Sequence, residues 1–262
     1  MEIIVCIKQV PDTTEVKIDP VKGTLIRDGV PSIVNPFDKN ALEAALQIRE
    51  QKGGKVTVLT MGPPQAVDAL RECLAMGADE AVLLSDRAFA GADSWATSYT
   101  LAKAIEKIGK PELIFCGKQA IDGDTAQVGP GIAEHLGLPQ ATYVQKIREV
   151  QSEQLLVERA IEGGYEVLTV PLPAMIAVEK SINEPRFPTM MGTMKAHKKT
   201  IPTWSASDIG AEADKIGLDG SCTQVKRVFA PERKGQGEML TGETENEVCL
   251  LLLEKLQGTK IV

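Results

Sequence analysis

Histidine is scarce: the 262 residues hold only His135 and His197, far apart and without an HExxH motif. Metal-centred and Ser-His-Asp chemistry therefore find no support in the pattern. A basic excess is missing too, since 29 Lys and Arg face 36 Asp and Glu for a formal charge of −7. That speaks against general nucleic-acid binding, which depends on a basic surface. No CxxC occurs. The cysteines, Cys6, Cys73, Cys116, Cys222 and Cys249, fall mostly in apolar stretches. They read as reduced core thiols of a cytoplasmic protein, not as a disulfide or metal framework. The longest apolar run near the C-terminus, Val248–Leu253, is far short of a membrane span, and MEIIVCIKQV starts acidic with too short an apolar run for a signal peptide. Two common nucleotide fingerprints are also absent. No GxGxxG follows a strand, and Gly117…Gly123-Asp124 lacks the GK[ST] of a P-loop.

What is present is the material of a soluble globular fold. Apolar content is 43% and charged content 25%, enough for one large or two small domains with an ample core. Over residues 1–138 strand and helix patterns alternate with short loops. Ile3–Ile7 is apolar throughout and reads as a central strand ending at KQVPDT. Val16–Ile18 and Thr24–Arg27 are further short extended stretches, and RDGVP suggests a hairpin excursion over Leu25–Val34. Asp38 is an expected N-cap for a helix with Ala41, Leu42, Ala45, Leu46 and Ile48 on its apolar face, ending at Gly53-Gly54. Lys55–Thr60 is a strand, and a helix opened by Pro63 or Pro64 runs to Gly77. Ala81–Leu84 is a strand, Ser94–Ile108 a helix, Glu112–Cys116 a strand, and a last helix ends near Gly137. This pattern predicts an α/β fold with a doubly wound, mostly parallel sheet.

After Pro139 the period shortens. Tyr143–Val150, Gln154–Ile161, Glu166–Val170 and Ala174–Val178 read as strands that extend the sheet with antiparallel members. From Ser181 the pattern is irregular, and only Glu243–Gln257 again looks helical. So long a stretch with little periodicity suits an arm that wraps a partner.

Ligands in open parallel sheets bind outside the carboxyl ends of the strands. Four loops have that placement: Lys8–Asp12, Asn35–Asp38, Met61–Gln65 and Gly117–Gln127. The last, GKQAIDGDTAQ, joins a buried strand to a helix, the arrangement that offers free N–H groups to an anion. Asp124-x-x-Gln127 resembles a capping box, whereas Pro130 argues for a separate first turn or a helix start at that proline. Asp122 and Asp124 would repel phosphate, leaving Lys118 and backbone amides to outweigh them. The alternative is an ordinary strand–helix connection that binds nothing.

Several stretches, in one order over nearly the whole chain, resemble the beta subunit of electron transfer flavoproteins. They are IVCIKQVPD, NPFDKNALEAAL, MGPPQA, LAMGADEAV, GKQAIDGDTAQ and VERAIEGGYEVLTVPLPAMIAV. The last fits the family signature through Arg159, Glu162-Gly163-Gly164, Pro173 and Ile176-Ala177. NEPRFPTMMGTMKAHKK resembles the family's partner-recognition loop. The resemblance implies layering like that of adenine nucleotide alpha hydrolases and flavodoxins, with a nucleotide-binding domain over 1–200, a recognition loop over 183–199, and a C-terminal arm over 201–262 packing on an alpha subunit. The implied nucleotide contacts are Cys6, Asn35, Pro36, Phe37, Asp38, Met61, Gly117, Lys118, Gln119, Ala120, Ile121, Asp122, Gly123, Asp124, Thr125, Ala126, Gln127 and Val128. No catalytic side chain and no metal ligand is implied.

VPDTTEVKID and GADSWATS resemble the electron-bifurcating group, in which the nucleotide is FAD; in simple carriers it is AMP. Asp93, Ser94 and Thr97 then offer polar contacts to a flavin, or Asp93 and Ser94 only cap their helix. Ala160 departs from the acidic residue of many simple carriers. The resemblance implies a heterodimer with a flavin-bearing alpha subunit. NADH would give a hydride to the beta-site FAD. One electron would pass to ferredoxin or flavodoxin, the other through the alpha-subunit FAD to an FAD-dependent dehydrogenase such as acyl-CoA dehydrogenase. Lys8 or Arg27 could stabilise a reduced flavin anion, or be solvated surface charges. Met190, Met191 and Met194 beside Lys195 are the implied docking residues, methionine adapting to varied pockets. Two rivals are a simple carrier subunit with structural AMP and a universal-stress-type nucleotide-binding sensor.

Overall fold

The computed structural model describes residues 1–12, 31–226 and 237–259. These fall into two compact units, residues 1–12 with 31–226, and residues 237–259. In the first, β1 (Glu2–Cys6) is the strand on which the rest is laid. Ile3 and Val5 enter one apolar cluster and Ile4 and Cys6 another, so the strand is buried on both faces. That is why its apolar run is continuous rather than alternating. The first cluster lies under α1 (Pro36–Lys52) and α2 (Val67–Met76), the second under α3 (Ser94–Ile108) and α4 (Val128–Leu136).

A short antiparallel pair, β2 (Gln9–Pro11) with β3 (Ser32–Val34), stands apart from the main sheet. The remaining strands are β4 (Lys55–Met61), β5 (Glu80–Leu84), β6 (Leu113–Gly117), β7 (Gln140–Val150), β8 (Gln154–Ile161), β9 (Gly164–Pro171), β10 (Ala174–Val178) and β11 (Thr203–Trp204). With β1 they form a nine-stranded sheet in the order β11-β5-β4-β1-β6-β10-β7-β8-β9. Pairing is parallel from β11 to β7 and antiparallel at β7–β8 and β8–β9. The doubly wound α/β sheet and its antiparallel extension are therefore as the pattern implied. The chain builds outward from β1 through β4 to β5, then crosses to β6 on the other side. That reversal puts the switch point between β1 and β6, where such sheets open a crevice.

Several local expectations change. Ala174–Val178 is a fully buried central strand, parallel to β6 and β7, not an antiparallel extension. Its AMIAV run carries no mark of strand direction. The stretch from Ser181, read as irregular, contains α5 (Met190–Lys198) and β11. α5 is short and mostly exposed, with only Ala196 buried, so no apolar period marks it. β11 accompanies the hydrogen bonds Leu83 N–H to Pro202 O and Ser85 N–H to Trp204 O, covering the edge of β5. Cys6, Cys73 and Cys116 are core thiols, but Cys222 and Cys249 are exposed. Val16–Ile18, Thr24–Arg27, the Asp-Gly turn and Arg27 lie outside the described residues.

In the second unit, α6 (Glu245–Gly258) forms where the sequence predicts a helix, with Thr244 accepting a hydrogen bond from the Glu247 N–H. No helix among the described residues is long and apolar enough to cross a membrane.

Candidate functional site

At the switch point, three side-chain ties join the strand-end loops. Asn35 precedes Pro36, the first residue of α1, so the helix starts three residues earlier than an Asp38 N-cap would have it. Asp38 instead sits in the first turn, with its carboxylate across two strand ends. Oδ2 accepts from Lys8 N–H at 2.8 Å and Oδ1 from Gly117 N–H at 2.9 Å. Burial pushes its carboxyl up to about 7, opposed by the Lys8 and Gly117 N–H groups and the Asn35 amide. Gly117 is required by this closeness: a Cβ there would lie 2.4 Å from Phe37 Cβ and 2.5 Å from Asp38 Oδ1.

Asn35 is fully buried and does not cap its helix. Its Nδ2 donates to Gln119 O at 2.8 Å, and its Oδ1 accepts from Ile121 N–H at 3.2 Å. The third tie is ionic. Lys8 Nζ reaches both oxygens of Asp122, at 2.7 and 2.9 Å. Lys118, the cation expected to balance this loop, turns instead to Glu179 at 3.0 Å and lies over the rings of Phe37 and Tyr143. Lys8 is thus the cation paired with an acidic residue of this loop, where the sequence reading expected Lys118.

The loop between β6 and α4 has an unusual backbone. Asp124 and Ala126 are non-glycine residues at φ 50° and 53°. Such conformations cost about 1–3 kcal/mol each and persist where surrounding contacts hold them. Within the loop the Asp124 N–H donates to Ala120 O at 2.9 Å, and the Ile121 N–H to Asn35 Oδ1. α4 then begins at Val128 with no side-chain cap on its N-terminus. The capping box is not formed. Asp124 Oδ1 accepts from Gln119 Nε2 at 2.7 Å, and Gln127 Oε1 accepts from Ser94 Oγ at 2.6 Å. Pro130 is the third residue of the helix, where its missing N–H costs no helical bond. Gly129 and Gly131 flank it because a Cβ would strike Met175 and Cys116 at the first, and Ser98 at the second.

The Ser94–Gln127 bond brings the N-terminus of α3 to the same loop. Asp93 caps that helix through Oδ1, accepting from the Trp95 and Ala96 N–H groups, both at 3.0 Å. Its Oδ2 accepts from the N–H and hydroxyl of Thr223, at 3.0 and 3.1 Å. Partial burial works against its ionisation, but these bonds hold the carboxyl below the usual range. Asp93 is therefore a filled acceptor that latches residues near 223. The low-periodicity sequence there had no signal for this. Thr97 is half-buried one turn into α3.

Cys6 and Cys116 lie side by side in register at the ends of β1 and β6. Both are buried, and burial followed by the nearby Asp38 carboxylate pushes the Cys6 thiol up to about 12. Both are neutral thiols packed in the apolar core. Met61 ends β4, beside them in the same sheet. Met190, Met191, Met194 and Lys195 are elsewhere, on α5, which packs against α2. Phe187, Met190, Met191 and Met194 form an exposed apolar group there. Among the described residues no group of three His, Cys, Asp or Glu is arranged to hold a metal ion.

Comparison with known proteins adds the family context. The family model described as "Electron transfer flavoprotein domain" matches residues 22–209. The chain is 57% identical over 257 residues to the electron transfer flavoprotein subunit beta of Clostridium acetobutylicum, covering 98% of each chain. It is 55% identical over 263 residues to the Caffeyl-CoA reductase-Etf complex subunit CarD of Acetobacterium woodii, covering 100% of each. It is 54% identical to Protein FixA of Azorhizobium caulinodans, covering 98% of this chain and 94% of that relative.

Proposed function

Because the chain belongs to the electron transfer flavoprotein family, as a beta subunit, we propose that its switch-point crevice holds the adenine-nucleotide half of an FAD and that the complex takes electrons from NADH. A beta subunit of this family works in electron transfer and pairs with an alpha subunit, which sets aside the stress-sensor reading. The observation that carries the finer reading is the loop before α4. The uncapped N-terminus of α4 leaves its first backbone N–H groups for a diphosphate, in spite of Asp122 and Asp124. Asp122 is already paired with Lys8, and Asp124 with Gln119.

The flavin, when bound, would supply the hydride and electron chemistry. The chain's own residues would bind, orient and exclude water. Asn35 and Asp38 hold the two strand ends and the loop in one geometry. Ser94 and Thr97, at the start of α3, are the polar groups available toward a flavin ring, and Asp93 frames them.

The exposed Phe187–Met194 surface is proposed to dock a flavoprotein dehydrogenase. The name of the Acetobacterium relative, a subunit of a caffeyl-CoA reductase complex, supports a partner that acts on CoA thioesters. Ferredoxin or flavodoxin is the proposed low-potential acceptor.

Cofactor stoichiometry of the purified heterodimer tests this. Two flavins and no AMP are expected, with anaerobic NADH bleaching both. One flavin with one AMP would end the FAD reading and leave a simple carrier.

A further inference from the structure

We infer that Arg186 is the positioning residue of the docking surface: it clamps the segment leading into α5 onto α1 and thereby fixes where Phe187 and the exposed methionines stand. This rests on the proposal that the surface docks a dehydrogenase. Arg186 Nε donates to Glu43 Oε2 at 2.8 Å and Nη2 to Glu43 Oε1 at 3.0 Å, a bidentate pair. Its Nη groups also reach both oxygens of Glu50, two turns further along α1. The backbone N–H of Arg186 adds a bond to Glu43 Oε2 at 3.2 Å.

One guanidinium thus spans a buried and an exposed carboxylate of the same helix. Glu43 would otherwise be a buried anion; burial works against its charge, and Arg186 and Gln47 hold its carboxyl below the usual range. Asn40 and Asn183 lock the preceding residues by reciprocal side-chain to backbone bonds, at 2.8 and 3.0 Å. The next residue after Arg186 is Phe187, 87% exposed, and Met190 is 84% exposed. Rigid anchorage immediately before such apolar side chains is not needed to bury them. It does hold them ready for another surface.

The far end of α5 is fastened separately. Arg71 Nη1 donates to Ala196 O at 2.9 Å and His197 O at 3.3 Å, at the helix C-terminus where a cation is favoured. A Cβ at Gly192 would lie 2.2 Å from Ala75 O, so this face of α5 sits directly on the end of α2. With the C-terminal end so fixed, Arg186 controls the entry. Preorganisation of this kind raises affinity by lowering the ordering cost on docking.

The test uses the intact heterodimer, with an acyl-CoA dehydrogenase and its acyl-CoA as electron donor. Arg186→Gln should raise the apparent KM for the heterodimer about ten-fold, with an unchanged saturating rate and unchanged nucleotide content. Amide exchange over residues 187–195 should quicken while β6 stays protected. Arg186→Lys, which keeps the charge but cannot reach both carboxylates in fork geometry, should recover only part of the loss. Met190→Glu is the control for the docking reading. If it raises KM while Arg186→Gln leaves KM or the 187–195 exchange unchanged, the inference is overturned and the docking reading stands. If Met190→Glu leaves KM unchanged, the docking reading fails and takes the inference with it.

Discussion

Lys8 and Asp122 meet across the mouth of the crevice, the ammonium bridging both carboxylate oxygens at 2.7 and 2.9 Å. They come from loops after β1 and β6, so the pair ties the two strands of the switch point at their open end. Both side chains are partly exposed, 48% and 31%. Such a pair contributes modestly and is screened by salt. Asp122→Asn should quicken amide exchange over residues 119–126 about two- to five-fold at low ionic strength, and the difference should shrink at high ionic strength. A salt-independent difference would show that the pair acts through packing instead.

Asn35 presents a stricter case because it is fully buried and uses both ends of its amide. Asn35→Ala would leave the Gln119 carbonyl and the Ile121 N–H without this partner, at a cost of about 1–3 kcal/mol. Asn35→Asp keeps the acceptor for Ile121 but sets a carboxylate oxygen against the Gln119 carbonyl. Both variants should lose bound nucleotide on gel filtration, the aspartate one at least as severely. Retention of full nucleotide by Asn35→Asp would contradict this geometry.

Gly117→Ala should be more damaging than its single methyl suggests. The new Cβ would fall within 2.5 Å of Asp38 Oδ1 and Phe37 Cβ, both on the first turn of α1. Relief requires moving the helix, and overpacking of this sort costs about 1–3 kcal/mol. Lower melting temperature and lower nucleotide content should appear together. A melting temperature equal to that of the unaltered protein would mean that α1 yields easily.

Asp38 makes stability depend on pH in a definite direction. Its folded pKa is raised from 3.8 to about 7, with burial the main cause. The protonated form is therefore favoured on folding. Its contribution is complete below pH 3.8 and is lost as pH rises through about 7. The stability of the unaltered heterodimer minus that of Asp38→Asn should fall by about 1.4 kcal/mol per pH unit across this window, up to about 4 kcal/mol in all. Urea titrations at a series of pH values measure it, and a flat difference would mean that Asp38 stays ionised throughout.

Much of the scaffold was legible because local physics and global packing agree there. Ser94–Ile108 is the helix that its pattern predicts, opened by Asp93 and closed at Gly109. The central strand Ile3–Ile7 was visible as an uninterrupted apolar run. The loops at the strand ends were also legible, since alternation of strands and helices fixes which ends face the crevice. Not legible was which side chain ties which loop. Nothing in Asn35 or Lys8 announces partners that lie 84, 86 and 114 positions away. Likewise Tyr143, at φ 56° where β7 shifts register against β10, is an ordinary strand residue in the sequence.

The amino-acid pattern by itself determined the α/β alternation and the two-faced burial of β1, because hydrophobic period and turn residues are local quantities; the family was legible only through the longer motifs that resemble it. Only the tertiary structure decided that Ala174–Val178 runs parallel in the middle of the sheet, that Lys8 rather than Lys118 meets Asp122, and that Arg186 binds α1. Those outcomes depend on strand order and on pairs far apart in the chain, and a charge or an apolar run carries no record of the distant group it will meet.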